Sequence, residues 1–134
     1  MCGIAGFTQF HHQTGDIKTL ESMGDAIRHR GPDAGGTYLD ERIGLSHRRL
    51  SIIDLSESGN QPMFSHDQNS VIVFNGEIYN FLELRGDMEK DGYPFQTHTD
   101  TEVILALYEK KGTDCLRELN GMFAFAIWDK AAQS

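Results

Sequence analysis

Apolar and polar positions along this chain fall into two rhythms. Residues 2–10 are mostly apolar with two small glycines, which predicts a first strand. His11 to Asp16 reads as a turn. Leu20, Met23, Ala26 and Ile27 recur at helical spacing, which predicts a helix over Lys18 to Arg28 with Asp16 placed to cap it. Arg28 to Gly36 is a loop by its glycine and proline content. Thr37 to Leu39 and Ile43 to Ile53 read as paired strands around Asp40-Glu41-Arg42, and a polar loop spans Asp54 to Gln68. Val71 to Phe74 is a continuous β-branched and aromatic run. Asn75-Gly76 follows it, the dipeptide most typical of a type I′ turn, so pattern alone predicts a hairpin there. Phe81 to Asp91 is helical in character and stops at Gly92, with Pro94 beyond. Thr99 to Lys111 places Val103, Ile104, Leu107 and Tyr108 on one face, and Thr99 with Glu102 has capping-box spacing. Gly121 to Trp128 is again a continuous apolar run.

Three of these strands are apolar on both faces and need cover on both sides. Short connections favour antiparallel pairing. Two architectures satisfy this: two packed sheets with helices outside, or one sheet covered twice. Pattern alone does not separate them.

Length and charge narrow the classes. The 134 residues make one domain by the size prior, and no run approaches the roughly 18 apolar residues of a membrane span. Residues 1–10 lack a basic n-region, so no signal peptide is expected, and Cys2 stands where myristoylation needs glycine. Twelve Lys and Arg against 20 Asp and Glu give a net charge of −8, which repels phosphate backbones and argues against a nucleic-acid partner. Two cysteines, Cys2 and Cys115, form no framework of bridges, so a reducing cytoplasm is the expected compartment. Cys115 is expected in the core of the 113–119 segment. Six histidines include the pair His11-His12, but no ligand spacing such as His-x3-His accompanies it, and no metal site is expected.

Cys2 carries the first sign of chemistry. Initiator methionine is usually removed before a small residue, which would leave Cys2 at the N-terminus. A free α-amine titrates at about 7.7–8.0 and a thiol near about 8.5. The amine can therefore serve as base for its own residue's thiol, and no histidine is required. Taken alone, Met-Cys reads more simply as a small buried hydrophobe at a strand start.

The surrounding blocks change that balance. They are Cys2-Gly3-Ile4-Ala5-Gly6, Arg28-His29-Arg30-Gly31-Pro32-Asp33 and His47-Arg48-Arg49-Leu50-Ser51-Ile52-Ile53-Asp54. Gly59-Asn60-Gln61-Pro62-Met63 and Phe74-Asn75-Gly76-Glu77-Ile78-Tyr79-Asn80 follow. The set ends with Thr99-Asp100-Thr101-Glu102-Val103 and Gly121-Met122-Phe123-Ala124-Phe125. In this order they resemble the glutaminase domain of class II glutamine amidotransferases, the N-terminal nucleophile (Ntn) type. The RHRGPD, NGEIYN and GMFAFAIWD wording is similar to that of glutamine-hydrolysing asparagine synthetases.

The resemblance implies an α+β fold, a four-layer αββα sandwich of two mainly antiparallel sheets. It implies that Cys2 attacks the side-chain amide of L-glutamine, that ammonia leaves, and that water hydrolyses the thioester to glutamate. It places Arg49 at the carboxylate-binding position, where a guanidinium offers two parallel hydrogen bonds. Asp100 falls at the ammonium-binding position, with Glu77 beside it; Asp100 also suits a helix N-terminus as a plain stabilising charge. The Asn75 amide and Gly76 N–H are implied as the oxyanion hole, and Leu50 and Ile52 as donors of backbone groups to the substrate. RHRGPD is implied as a loop that helps build the site.

The family's domains continue beyond the GMFAFAIWD strand with an Arg-Asp…Gly…Pro-Leu block that this sequence lacks, as it lacks a Ser-Gly-Gly-x-Asp-Ser pyrophosphate loop. The expectation is therefore a partial, C-terminally truncated glutaminase domain over 1–134, without the synthetase domain. No cofactor is expected in this chain, because ATP and magnesium belong to the synthetase half. A synthetase domain or subunit is the expected ammonia acceptor, and the 121–128 strand is expected to be buried by self-association, by a partner or by a rearrangement of the chain. Two rivals stand beside this reading. One is a catalytically silent Ntn-fold module that binds glutamine or a partner synthetase. The other is an Ntn amidohydrolase of a different amide, against which Arg49 and Asp100 argue, since together they suit a free α-amino acid.

Overall fold

Strand β3 (Ile43–Arg49) shows how the layers form. Its odd-numbered side chains, Ile43, Leu45, His47 and Arg49, share one face, and Gly44, Ser46 and Arg48 share the other. Strand β5 (Ser70–Ile78) likewise turns Val71, Val73, Asn75 and Glu77 one way and Ile72, Phe74 and Ile78 the other. Ile43, Leu45, Val71, Val73 and Trp128 meet in one apolar cluster, so the first faces of the two strands pack together. A computed structural model describes residues 2–9, 15–51 and 57–134 of the chain.

One sheet has the order β1-β3-β2, with β1 (Gly3–Thr8) and β2 (Ala34–Leu39) both antiparallel to β3. The other has the order β4-β5-β6, with β4 (Met63–Phe64) and β6 (Gly121–Asp129) antiparallel to β5. Helix α1 (Ile17–Ala26) covers the first sheet. Helix α3 (Asp100–Lys111) covers the second through Ile72, Phe74, Ile78, Ile104 and Leu105, and α2 (Phe81–Lys90) packs on α3. The layers run α, β, β, α, and of the two architectures open to the sequence this is the paired-sheet one. Among the described residues no helix is long and apolar enough to cross a membrane.

Several expectations need correction. β5 runs straight through Asn75-Gly76, and no hairpin forms there. Continuous pairing with β6, from Ser70 opposite Asp129 to Ile78 opposite Gly121, outweighs the local turn preference. Strand β2 begins at Ala34, inside the expected loop, because the second edge of β3 offers partners as far as Arg49. Helix α1 ends at Ala26, and Arg28–Arg30 form a short 3-10 turn instead of the last helical turn. The capping box at α3 is half formed. Thr99 Oγ1 accepts from Glu102 N at 3.2 Å, but the Glu102 carboxylate accepts from Gln96 N, Thr97 N and Thr97 Oγ1 instead of reaching back to Thr99. Helix α3 is buried from Asp100 through Leu107 and not along one face only. Strand β6 is covered unevenly: Trp128 is buried, but Met122 is 67% exposed and Phe123 37%.

Asp16 caps α1 as expected, accepting from Thr19 N at 2.8 Å, and Cys115 is buried with Met88, Val103 and Leu107.

Candidate active site

The shared face of the two sheets is apolar at one end and polar at the other. Along β3 it passes from Ile43 and Leu45 to His47 and Arg49, and along β5 from Val71 and Val73 to Asn75 and Glu77. Gly3 lies opposite Arg48 in the β1–β3 register, which brings Cys2, one residue earlier, to the Arg49 end of β3. The candidate residues thus gather where the core gives way to polar groups.

Cys2 is half-buried and held by backbone. Leu50 N donates to Cys2 Sγ at 3.3 Å, and the thiol points at Leu50 O at 3.6 Å. Arg30 Nε donates to the Cys2 carbonyl at 3.0 Å. The same loop is strapped to the segment after β3: Asp33 N donates to Arg49 O at 3.0 Å, and Ser51 N donates to Asp33 Oδ2 at 2.8 Å. These contacts give the RHRGPD loop its place, beneath the thiol and the 49–51 segment. The sequence marks the loop but not its partners, because its contacts span 16 to 28 residues.

Arg49 is buried, and its Nη1 donates to Asn60 Oδ1 at 2.8 Å. Gly59 leaves room for the guanidinium: a Cβ there would overlap Arg49 Nη2. The Gly59-Asn60 part of the GNQPM block is therefore a seat for the arginine, a role the sequence does not disclose. Ile52 lies outside the described residues.

The β5 side of the site is built from a strand edge. Backbone groups alternate between the two edges of a strand. Strand β4 pairs only with Ile72 and Val71, so the edge of β5 is uncovered by a strand beyond Ile72. Side chains take its backbone groups. Phe74 N donates to Gln61 Oε1 at 2.6 Å, and Ile78 N donates to Asp100 Oδ2 at 3.1 Å. Gly76 lies midway, so alternation sends its N–H off the same edge. On the opposite side Gly76 presses against β6, where a Cβ would meet Met122 O and Phe123 Cα, and its φ of 156° favours glycine.

Asn75 is half-buried, and its Oδ1 has no hydrogen-bond partner among the described residues. Asp100 is buried at the start of α3, and burial pushes its carboxyl above the ordinary range, with the nearby charge of Glu77 adding to the effect. Glu77 is exposed. The two halves of the site meet at His47, a buried ring whose Nε2 donates to Phe74 O at 3.1 Å. Burial pushes this imidazole down to about 4, so it is neutral at pH 7. Cys2, Arg49 and Leu50 thus form one cluster, Asn75, Gly76, Glu77 and Asp100 a second, and β3 and β5 carry them on facing sheets.

Comparison with known proteins follows the same lines. The family model described as a glutamine amidotransferase domain matches residues 1–134, and the chain belongs to that family. Glutamine-hydrolysing asparagine synthetase 1 of Bacillus subtilis is 48% identical over 133 residues, covering 97% of this chain and 21% of that protein. Asparagine synthetase B of Escherichia coli is 44% identical over 131 residues, covering 96% of this chain and 23% of that protein. The chain thus spans about a fifth of the length of these relatives. Among solved structures, the glutamine phosphoribosylpyrophosphate amidotransferase of Bacillus subtilis superposes with a TM-score of 0.57 at 24% identity, covering 69% of this chain and 22% of that one. That likeness supports the fold, an Ntn-type αββα sandwich.

Proposed function

We propose that this domain hydrolyses the side-chain amide of L-glutamine to glutamate and ammonia, with Cys2 as nucleophile, and that the ammonia serves asparagine synthesis by a synthetase domain or subunit. The observation that carries the reading is the seat of Cys2. Its sulfur accepts a hydrogen bond from Leu50 N at 3.3 Å, next in the chain to the buried Arg49. A nucleophile and a carboxylate-binding guanidinium on neighbouring positions suit a free α-amino acid.

With Met1 removed, the α-amine of Cys2 takes the thiol proton. The thiolate attacks the amide carbon and its oxygen becomes an oxyanion. Gly76 N–H and the Asn75 amide are the donors for that charge, each worth about 2.7–4 kcal/mol. Collapse breaks the C–N bond, ammonia leaves with the proton, and water then cleaves the thioester to release glutamate and restore the thiol. Arg49 binds the substrate carboxylate, and Asp100 with Glu77 binds its ammonium. This chemistry draws on the chain's own thiol and amine and calls on no cofactor. The compartment that fits two free thiols is a reducing cytoplasm.

The test is glutamate release by the parent chain and by Cys2→Ala, with a circular dichroism spectrum to show that the fold persists. Release should vanish in the variant. A glutamine-like diazoketone should label Cys2 and spare Cys115, which is buried and whose thiol burial pushes up. Activity surviving Cys2→Ala, or equal labelling of both cysteines, overturns the reading.

A further inference from the structure

Three successive N–H groups leave the same edge of β5 beyond the end of β4. They belong to Phe74, Gly76 and Ile78, and alternation separates them by two residues each. The outer two are occupied by side chains: Gln61 Oε1 takes Phe74 N at 2.6 Å, and Asp100 Oδ2 takes Ile78 N at 3.1 Å. The two acceptors are themselves joined. Gln61 Nε2 donates to Thr101 Oγ1 at 3.2 Å, and Thr101 follows Asp100 at the first turn of α3. Gln61 and Thr101 are both buried. Phe74 is also held at its carbonyl, in the peptide that leads to Asn75, where His47 Nε2 donates to Phe74 O.

This arrangement does what a longer β4 would otherwise do. A strand continuing past Met63 would pair with β5 and consume the Gly76 N–H along with its neighbours. Side-chain acceptors instead satisfy the flanking groups one at a time. Buried N–H groups left without partners are costly, so Phe74 N requires such an acceptor wherever the strand partner stops. The acceptor found is a neutral amide, which adds no charge beside a developing oxyanion.

We propose that Gln61 is a positioning residue for the oxyanion hole: with Thr101 it clamps the open edge of β5 to the start of α3, so that Gly76 N–H and the adjoining Asn75 amide are held in place for the substrate oxygen. The inference rests on the glutamine-hydrolysing reading above and extends it to a residue that does not touch substrate. Gln61 acts through Phe74 on Asn75 and Gly76, so it governs turnover more than binding. A displacement near 1 Å at such a site costs about 100-fold in rate.

The experiment uses Gln61→Met, which keeps the length and apolar bulk of the side chain and removes its acceptor and donor. Glutamate release should show kcat lowered tenfold or more with KM within threefold of the parent. Alkylation of Cys2 by iodoacetamide, a displacement that forms no oxyanion, should keep its parent rate. Thr101→Val should lower kcat in the same direction and Thr101→Ser should restore it; this pair decides the matter if Gln61→Met fails to fold. Parallel loss of alkylation and hydrolysis, a loss carried by KM, or an unchanged kcat overturns the proposal. A parent chain that releases no glutamate sinks the proposed function and not the clamp. The clamp is then read from amide hydrogen exchange: Phe74 N–H should exchange at least tenfold faster in Gln61→Met, and equal rates overturn it.

Discussion

The backbone N–H of Leu50 donates to the sulfur of Cys2 at 3.3 Å, across 48 positions of sequence. The contact exists because β1 pairs antiparallel with β3, with Gly3 opposite Arg48, which carries the start of the chain to the end of β3. Arg30, from the turn after α1, holds the same residue through its carbonyl. Cys2 is thereby fixed at sulfur and at carbonyl, and neither contact uses its backbone nitrogen. On the proposed reading, that leaves the amine free to act as base.

The seat of Arg49 gives a prediction about binding. Arg49→Lys should raise KM for glutamine, because an ammonium cannot reproduce the two parallel bonds of a guanidinium. Gly59→Ala should do the same with the arginine intact, since the added methyl overlaps Arg49 Nη2. A rise of about tenfold or more, equivalent to about 1.4 kcal/mol, is expected in each, with kcat within a few-fold. Steady-state glutamate release measures both, and an unchanged KM in both variants removes Arg49 from the substrate carboxylate.

Asn75 should show the opposite kinetics. On the proposed reading its donor acts on charge that appears only during reaction, so Asn75→Ala should lower kcat by about 100- to 1,000-fold and leave KM nearly as it was. A variant that raises KM and keeps kcat would assign Asn75 to substrate binding instead.

His47 makes stability depend on pH. Its folded-state value, about 4, lies below the ordinary 6.5, so the unfolded chain binds the extra proton between those limits. Stability should be level above about pH 6.5 from this group and fall as pH drops toward 4, by up to about 3 kcal/mol at roughly 1.36 kcal/mol per unit. Asp100, raised by burial, works in the opposite sense and offsets part of the fall at its acid end. Below that window Asp40, Asp67 and Asp129, held low by their hydrogen bonds, lose their contributions as they protonate. Urea titrations from pH 7.5 to 4.5 should show the slope, and His47→Gln, which keeps a donor and removes the titration, should flatten it. An equal slope in the variant would assign the effect elsewhere.

Elements with local signals are legible in the linear chain. Asp16 before an amphipathic run marks the start of α1, Thr99 caps α3, and the apolar runs at Val71–Phe74 and Gly121–Trp128 become β5 and β6. The order of its motifs also determined the family, because composition and spacing survive in the linear chain. Tertiary structure decided the rest. Asn75-Gly76 is a turn by local preference and a mid-strand pair in the fold, because β6 supplies a continuous row of hydrogen-bond partners that a two-residue turn cannot match. Glu102 has capping-box spacing but spends its carboxylate on residues 96 and 97, which only the folded loop brings near. The partners of the site, Arg30 for Cys2, Asn60 for Arg49, Gln61 for Phe74 and His47 for the facing strand, all lie 11 or more residues away in the chain. Such contacts follow from strand register and sheet stacking, which are set by burying one shared apolar face, and no local pattern encodes which side chain then fills a given backbone vacancy.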